Sequence, residues 1–556
     1  MVNILKGPSD FSASVAPRSL RRDLVAGVTV GASQVGNAMA YTILAGVPPV
    51  HGLYATMVGT PVAALSGSSQ RMVVVPTAAL CLAAGGALAS LPAEQRVAGL
   101  LVLTAAAGVL MLVAGLLRAG SLVRFISNAV MVGFMAGVSV LIMLGQLSAL
   151  TGFSSAYLNK VQRAADLVVH VQRVDVTTTL VGLVTVAFIV LVQRTRFRLY
   201  AMVAALVVVS AGVAVLGLAV PVVGDIAPIS SSFPLPRLPD LSLMPGLLIP
   251  ALSLAIIALV QGAGISRSVP NADDTLGDPS RDFVSQGAAN VAGGLFGGGP
   301  VGGSVQATAL NVGAGARTRR SGVIAGVVVI VVVLAAAPLV QQVPLAVTAG
   351  ILIVAAASAI RPRAALEIWR ADRLSAAVMA ITFVLVLVIP LQYAVLAGAA
   401  ISVLKYIYLA SLDVHVVEVV DCGVRPRECE PPTELGDDRV TVLDIYGSLF
   451  FAAGPAVRAS LPTAEGARRA VVVLRLRGRG TLHSTTIALI RDYAAQLAAG
   501  GGRLYLAGVG EEMEDQLRRT GLLQELGPDA VLPATAELYG SCEAALLRGR
   551  EWLAAR

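Results

Sequence analysis

Charge is the scarcest feature of this sequence. Only 13% of its 556 residues are Asp, Glu, Lys or Arg, against about 25% in an ordinary soluble domain. Val97–Leu117, Ser321–Ile360 and Leu374–Leu404 carry no charge at all. A helix needs about 20 apolar residues to cross a hydrocarbon core of roughly 30 Å. The two longer runs therefore each hold a pair of spans, broken near Pro338–Pro344 and near Pro390. Soluble cores do not run that far without a charge. Histidine and cysteine are also scarce, at four each. His51, His170, His415 and His483 are isolated, and Cys422 and Cys429 have neither the spacing nor the partners of a zinc site. Cys81, Cys422, Cys429 and Cys542 are expected to be free thiols in a reducing compartment, and no metal or cofactor is expected. Met1–Asp23 lacks the apolar stretch of a cleavable signal peptide. No nucleophile–base pair appears, so the chain is not expected to be an enzyme.

What is present is apolar, with a mean hydropathy of +0.79. Spans fall near 24–42, 48–66, 72–90, 97–117, 121–147, 176–193, 199–217, 243–265, 283–297, 304–315, 321–338, 344–360, 374–390 and 391–410, about fourteen in all. Alternating them from a cytoplasmic N-terminus puts twenty Lys/Arg in one set of loops, among them Lys6, Arg71, Arg124, Arg194, Arg317 and Arg370. The other set holds five: Arg96, Lys160, Arg163, Arg173 and Arg237. Cytoplasmic loops are enriched in Lys/Arg, so both termini are expected in the cytoplasm. Residues 1–412 carry a net charge of +12 and the remainder −4. The pI of 9.6 therefore reflects one membrane face, and no nucleic-acid partner is expected.

Fourteen spans divide as seven plus seven, and an odd-numbered repeat inserts its second copy upside down. Inverted repeats hold substrate near the midplane, often where helices break. The third and tenth spans look broken in corresponding positions. Met72–Val75 is a short β-like run, and Pro76 suits the first turn of a helix. Gly297–Gly303 is too glycine-rich for a stable helix, which is expected to start at Ser304–Gln306. Two half-helices would then point their N-termini toward each other, and their free amides and dipoles make an anion site. The plainer alternative is glycine for close helix packing. Gly297, Gly299 and Gly302 match GxGxxG, but without a βαβ unit the match is coincidence. Asp273, Asp274 and Asp278 resemble a metal loop and read better as a solvated cytoplasmic one. Beyond Lys405 the pattern changes. Residues 413–438 read as a linker. From Arg439 strands and helices alternate: strands 440–443, 449–451, 470–476, 503–507 and 530–532, and helices 455–461, 484–499, 511–520 and 537–554.

Several motifs now stand together: Asp23-Leu-Val-Ala-Gly-Val-Thr-Val, Ala38-Met-Ala-Tyr41, and Leu44-Ala-Gly-Val-Pro-Pro-Val-His-Gly-Leu-Tyr54. A second group runs from Gln286-Gly-Ala-Ala-Asn290 and Phe296-Gly-Gly-Gly-Pro300 through Gly303-Ser304, Thr308-Ala-Leu-Asn311 and Gly315-Ala-Arg-Thr318. With these the chain resembles the sulfate permease (SulP) family of anion transporters, and its C-terminal region resembles the STAS domain that the family carries. The resemblance implies a polytopic α-helical membrane protein, a seven-plus-seven inverted repeat of core and gate domains, with a small α/β STAS domain. It divides the chain into 1–23, a cytoplasmic segment; 24–412, the transmembrane transport domain; 413–438, the linker; and 439–556, the STAS domain. It implies a homodimer in a bacterial inner (plasma) membrane that moves small anions elevator-fashion.

By motif match, the resemblance places anion contacts on Asn37 and Tyr41 of the first helix and on Val75, Pro76, Thr77 and Ala78 at the third. It adds Gln261 on the eighth helix and Ser304, Gln306, Ala307 and Thr308 at the tenth. The sequence departs from the family there. Many members read Ser-Arg-Thr where this chain reads Gln306-Ala307-Thr308, and Glu or Asp where it has Gln261. Gly36-Asn37 stands for Pro-Gln or Pro-Glu, and Val75 for glycine. No span carries an Asp or Glu in its middle, so exchange or uniport is expected rather than proton- or sodium-coupled uptake. Other readings are a nucleobase permease of the same fold, which would use membrane carboxylates, and an anion sensor signalling through the STAS domain. Ser484, in His483-Ser-Thr-Thr486, matches a serine phosphorylated in soluble relatives of that domain, but it reads better as a helix N-cap.

Overall fold

Many helices of this chain begin where a short polar side chain takes up their first free amides. Thr77 accepts from Leu80 N–H, Ser127 from Val130, Asp175 from Thr177 and Thr178, Asp278 from Ser280, Ser304 from Ala307 and Asp372 from Leu374 and Ser375. The computed structural model describes residues 17–120, 127–155, 157, 160–229, 231–420 and 426–555. Residues 1–16, the first six of the expected fifth span, Lys6, Arg124 and Cys422 lie outside the described residues. The chain divides into two compact units, Met1–Ser402 and Val403–Arg556.

The first unit is helical. In chain order it holds α1 (Pro17–Leu44), α2 (Val50–Tyr54), a π-helical turn over Ala55–Gly59, α3 (Thr60–Ser66), β1 (Val74–Pro76), α4 (Ala78–Leu88), α5 (Arg96–Leu116), α6 (Asn128–Thr151), α7 (Lys160–Val169), α8 (Val176–Gln193) and α9 (Ala201–Val215). Then come α10 (Val223–Ile226), α11 (Met244–Ser268), α12 (Pro279–Leu295), β2 (Val301–Gly303), α13 (Val305–Gly313), α14 (Arg320–Gln341), α15 (Leu345–Ala359), α16 (Pro362–Ala371), α17 (Arg373–Val388) and α18 (Leu391–Leu412), whose last ten residues fall in the second unit. Among the described residues seven stretches are long and apolar enough to cross a membrane: Ala93–Leu116, Asn128–Thr151, Val176–Gln193, Arg198–Val215, Leu241–Ser266, Arg320–Gln341 and Leu345–Ala371. α4 and α13 are half-length because a strand occupies the rest of each crossing. The run 321–360 breaks at Pro344, which caps α15, while Pro338 sits inside α14 beside a kink at Ala336. Helices from the two halves interleave, with α1 along α14, α5 along α12 and α6 along α15 and α17.

One finding in this unit differs from the sequence expectations. Pro76 ends a strand instead of opening a helix, because Thr77 is the residue whose side chain caps α4. His51 falls inside the expected span 48–66, while Asp23 and Asp282 each stand one residue before an expected span, so no Asp or Glu falls in the middle of one. His51 lies in α2, with Nδ1 2.6 Å from Gly297 O. Asp23 and Asp282 are both fully buried. Asp282 falls one residue before the span expected from hydropathy, since α12 begins at Pro279.

In the second unit a six-stranded sheet runs in the order β4-β3-β5-β6-β7-β8. Its strands are β3 (His415–Val420), β4 (Arg427–Cys429), β5 (Val440–Tyr446), β6 (Val471–Arg475), β7 (Arg503–Val509) and β8 (Val531–Pro533). β5 to β8 are parallel; β3 and β4 are antiparallel additions at one edge. Both lie in the stretch that composition assigns to a linker. β4 is polar because it is a fully exposed edge, and β3, with its valines interrupted by His415 and Glu418, does not show the strict alternation that marks a strand in sequence. The helices are α19 (Gly454–Ser460), α20 (Ser484–Ala499), α21 (Glu511–Arg519), α22 (Leu522–Leu526) and α23 (Gly540–Ala554). The strand expected at 449–451 is absent: β5 stops at Gly447, whose φ is +86°, and the chain turns. Ser484 is the first residue of α20 and His483 its cap position, so Ser484 does not cap the helix. Asp444, which is buried, and Arg475, which is partly so, form an ion pair at 2.5 Å. Cys81 and Cys542 are buried free thiols and Cys429 an exposed one.

Candidate functional site

β1 and β2 pair antiparallel, Val74 opposite Gly303, Val75 opposite Gly302 and Pro76 opposite Val301, and all six residues are buried. Each strand feeds a helix almost at once, β1 into α4 and β2 into α13. Because the strands are antiparallel, the helices leave opposite ends of the pair with their N-termini toward each other. An α-helix has four amides without intrahelical acceptors at that end and a dipole worth about half a positive charge. Thr77 and Ser304 each cap one of those amides; others remain for a ligand.

The expected contact residues gather around this strand pair. Val75 and Pro76 lie in β1, Thr77 caps α4 and Ala78 is its first residue. Ser304 caps α13, and Gln306, Ala307 and Thr308 form its first turn. Tyr41 Oη on α1 donates to Gln306 Oε1 at 3.3 Å, and Gln306 Nε2 reaches Met202 Sδ at 3.2 Å. Thr77 Oγ1 donates to Gln261 Oε1 on α11 at 3.2 Å. Thr308 Oγ1 accepts Val73 N–H at 3.0 Å. Val75 and Ala307 share an apolar cluster with Val30, Val73 and Ala325. Asn37 bonds none of the other expected contacts; its Nδ2 donates to Ser33 Oγ at 3.3 Å. None of these side chains is charged. The site's positive potential therefore comes from the backbone. No cluster among the described residues has the makings of a metal site. Asp273 Oδ1 accepts from Thr275, and that bond first, with a smaller pull from Arg71, holds its carboxyl below the usual range.

Sequence reasoning did not single out the groups that hold the strand pair in place. Asn290 brackets Val301, accepting its N–H at 2.9 Å and donating to its carbonyl at 2.7 Å. One turn earlier on α12, Gln286 Oε1 accepts Gly303 N–H at 3.0 Å. Thr60 Oγ1 donates to Val74 O at 2.7 Å. These bonds satisfy backbone that would otherwise be unpaired at membrane depth. The available signal was two amides four residues apart on a helix beside a glycine run. Glycine is required at 303, because a Cβ there would sit 2.9 Å from Gly262 Cα of α11.

In the first turn of α12, Asp282 accepts five hydrogen bonds: from Ser68 N at 2.6 Å, Ser68 Oγ at 2.8 Å, Ser69 N at 2.9 Å, Ser266 Oγ at 2.6 Å and Ser69 Oγ. Asp23 at the start of α1 accepts Arg317 N at 2.7 Å, Thr318 N at 3.0 Å and Thr318 Oγ1 at 2.7 Å. Each carboxylate ties a loop of one half to a helix of the other.

A multi-pass helical bundle with paired half-helices and an appended α/β domain defines a class of membrane transporter. Residues 20–382 match the model of the sulfate permease family and residues 433–537 that of the STAS domain. The chain belongs to the sulfate permease family. It is 26% identical over 536 residues to the putative sulfate transporter YvdB of Bacillus subtilis, covering 94% of this chain and 98% of that one. It is 28% identical over 544 residues to the probable sulfate transporter Rv1739c of Mycobacterium tuberculosis, covering 94% and 96%. Its fold matches the murine Slc26a9 anion transporter in the inward-facing state, with a TM-score of 0.84 at 18% identity over 98% of this chain and 93% of that one. The transmembrane domain of a cyanobacterial bicarbonate transporter, BicA, matches with a TM-score of 0.59 at 26% identity over 70% of this chain and 98% of that domain.

Proposed function

We propose that the chain is a secondary transporter of small anions, of the sulfate, bicarbonate, chloride or dicarboxylate class, and holds the anion between the N-termini of α4 and α13. The observation that carries this is the β1–β2 pair, which aims two helix N-termini at one place lined by uncharged donors. Tyr41 and Gln306 stand ready to exchange their mutual bond for one to substrate, and Thr77 its bond to Gln261. Transport proceeds by an elevator-type movement in a homodimer, with both termini in the cytoplasm of a bacterial cell. Two family members and two fold relatives carry names of anion or sulfate transporters, which favours this over a nucleobase permease or a sensor. The test is anion flux into proteoliposomes. Replacing Pro76 or Thr308 with Trp is expected to abolish flux while leaving expression and monodispersity intact. Full flux in either variant would move the site elsewhere.

A further inference from the structure

The candidate site has donors that suit any anion, and it also has an acceptor that most anions cannot use. Asn37 Oδ1 is buried and has no hydrogen-bond partner among the described residues, although its Nδ2 is held by Ser33. The residue is 2% exposed. At about 100° per residue, Asn37 lies within about 40° of both Val30 and Tyr41 around α1. Val30 packs on Val75 and Ala307, and Tyr41 bonds Gln306, so this stripe faces the strand pair and the start of α13. Gln34 Oε1, near the same stripe, is likewise buried without a partner. A buried acceptor left unpaired is costly, so a ligand that brings its own donor is favoured. A metal cation is not that ligand: the two helix dipoles are positive at this place, and no carboxylate lies among the site side chains.

Charge bears on the same question independently. Two helix N-termini supply together about one positive charge, and no site side chain adds to it. A monoanion is matched. A dianion would leave one negative charge uncompensated in a site of low dielectric.

Resting on the transporter reading above, we propose that the preferred substrate is a monovalent oxyanion bearing an O–H, of the hydrogencarbonate class. Its charged oxygens face the N-termini of α4 and α13, and its O–H donates to Asn37 Oδ1. Nitrate is the matched control, since it is planar, monovalent and of similar size but has no O–H.

The experiment uses the full chain in proteoliposomes at pH 8, with uptake of hydrogencarbonate, nitrate, chloride and sulfate measured separately. Hydrogencarbonate is expected to have a KM at least about tenfold below that of nitrate or sulfate, since a site built around a substrate hydroxyl rejects analogues without it. In Asn37→Leu the KM for hydrogencarbonate should rise to within about twofold of that for nitrate. Gln306→Arg, which adds a cation beside the strand pair, should raise sulfate uptake relative to nitrate by at least about fivefold. If Asn37→Leu does not fold, the hydrogencarbonate-to-nitrate ratio of the parent still decides. Sulfate as the best substrate, nitrate equal to hydrogencarbonate, or an Asn37→Leu protein that keeps the parent ratio would each overturn the inference while leaving an anion transporter. No flux of any anion through folded protein would instead overturn the transporter reading.

Discussion

Thr308 carries a bond that joins the two halves of the site. Its hydroxyl accepts the Val73 amide, 235 residues away, and it is 1% exposed. Thr308→Val keeps the shape and removes the acceptor, leaving a buried amide unpaired at a cost of about 1–3 kcal/mol. A lower melting temperature in detergent and a reduced flux are expected; an unchanged melt would mean that water replaces the bond. Ser304 could be placed from sequence as a helix start, whereas the cap at Thr77 could not, because Pro76 before it reads as a first-turn residue. Gln286 and Asn290 could be read as part of a motif but not given a task, since their partners are backbone atoms of a strand eleven to seventeen residues on. The orphaned oxygen of Asn37 was beyond the reach of sequence, because an amide declares no partner until its neighbours are in place.

At the scale of elements, the buried carboxylates fix how helices meet loops. Asp282 takes five donors from the α3–β1 loop and α11. Asp282→Asn replaces one acceptor oxygen with a donor facing hydroxyls and amides, and hydrogen bonds to charged groups contribute about 1.5–3 kcal/mol each. A loss of at least about 2 kcal/mol is expected, seen as a fall in melting temperature larger than that for Thr308→Val. Equal or greater stability would show that the hydroxyls simply rotate. In the second unit, Asp444→Ala strands the guanidinium of Arg475, which is 11% exposed, at a cost of about 3–5 kcal/mol. Denaturant unfolding followed in the STAS unit checks this, and a change under 1 kcal/mol would argue that Leu538 O and the Tyr539 ring suffice to hold the arginine. Hydropathy put seven of its spans where the described residues form helices long and apolar enough to cross a membrane. It began the span at Phe283 rather than at Pro279 because a charged residue one position before an apolar run looks like loop.

For the whole molecule, the amides Asn37 and Gln261 at the expected coupling positions do not titrate. Flux is therefore expected to change little with an imposed proton gradient at clamped membrane potential. Uphill uptake driven by inward protons would bring His51, Asp23 or Asp282 into the mechanism. A chain ending at Leu412 is expected to retain substrate binding, because every site residue precedes it; loss of binding in a folded, monodisperse truncation would contradict this. The strand pair also bears on how the protein is made. β1 emerges from the ribosome more than two hundred residues before its partner, and until then its backbone amides and carbonyls have no ladder in a solvent that offers none. The first half must therefore wait, either held by the insertion machinery or kept toward the membrane surface, until β2 arrives. Translation that stops before Gly303 leaves a chain whose polar backbone cannot be closed, and such a product is one that quality-control proteases in the membrane are equipped to recognise.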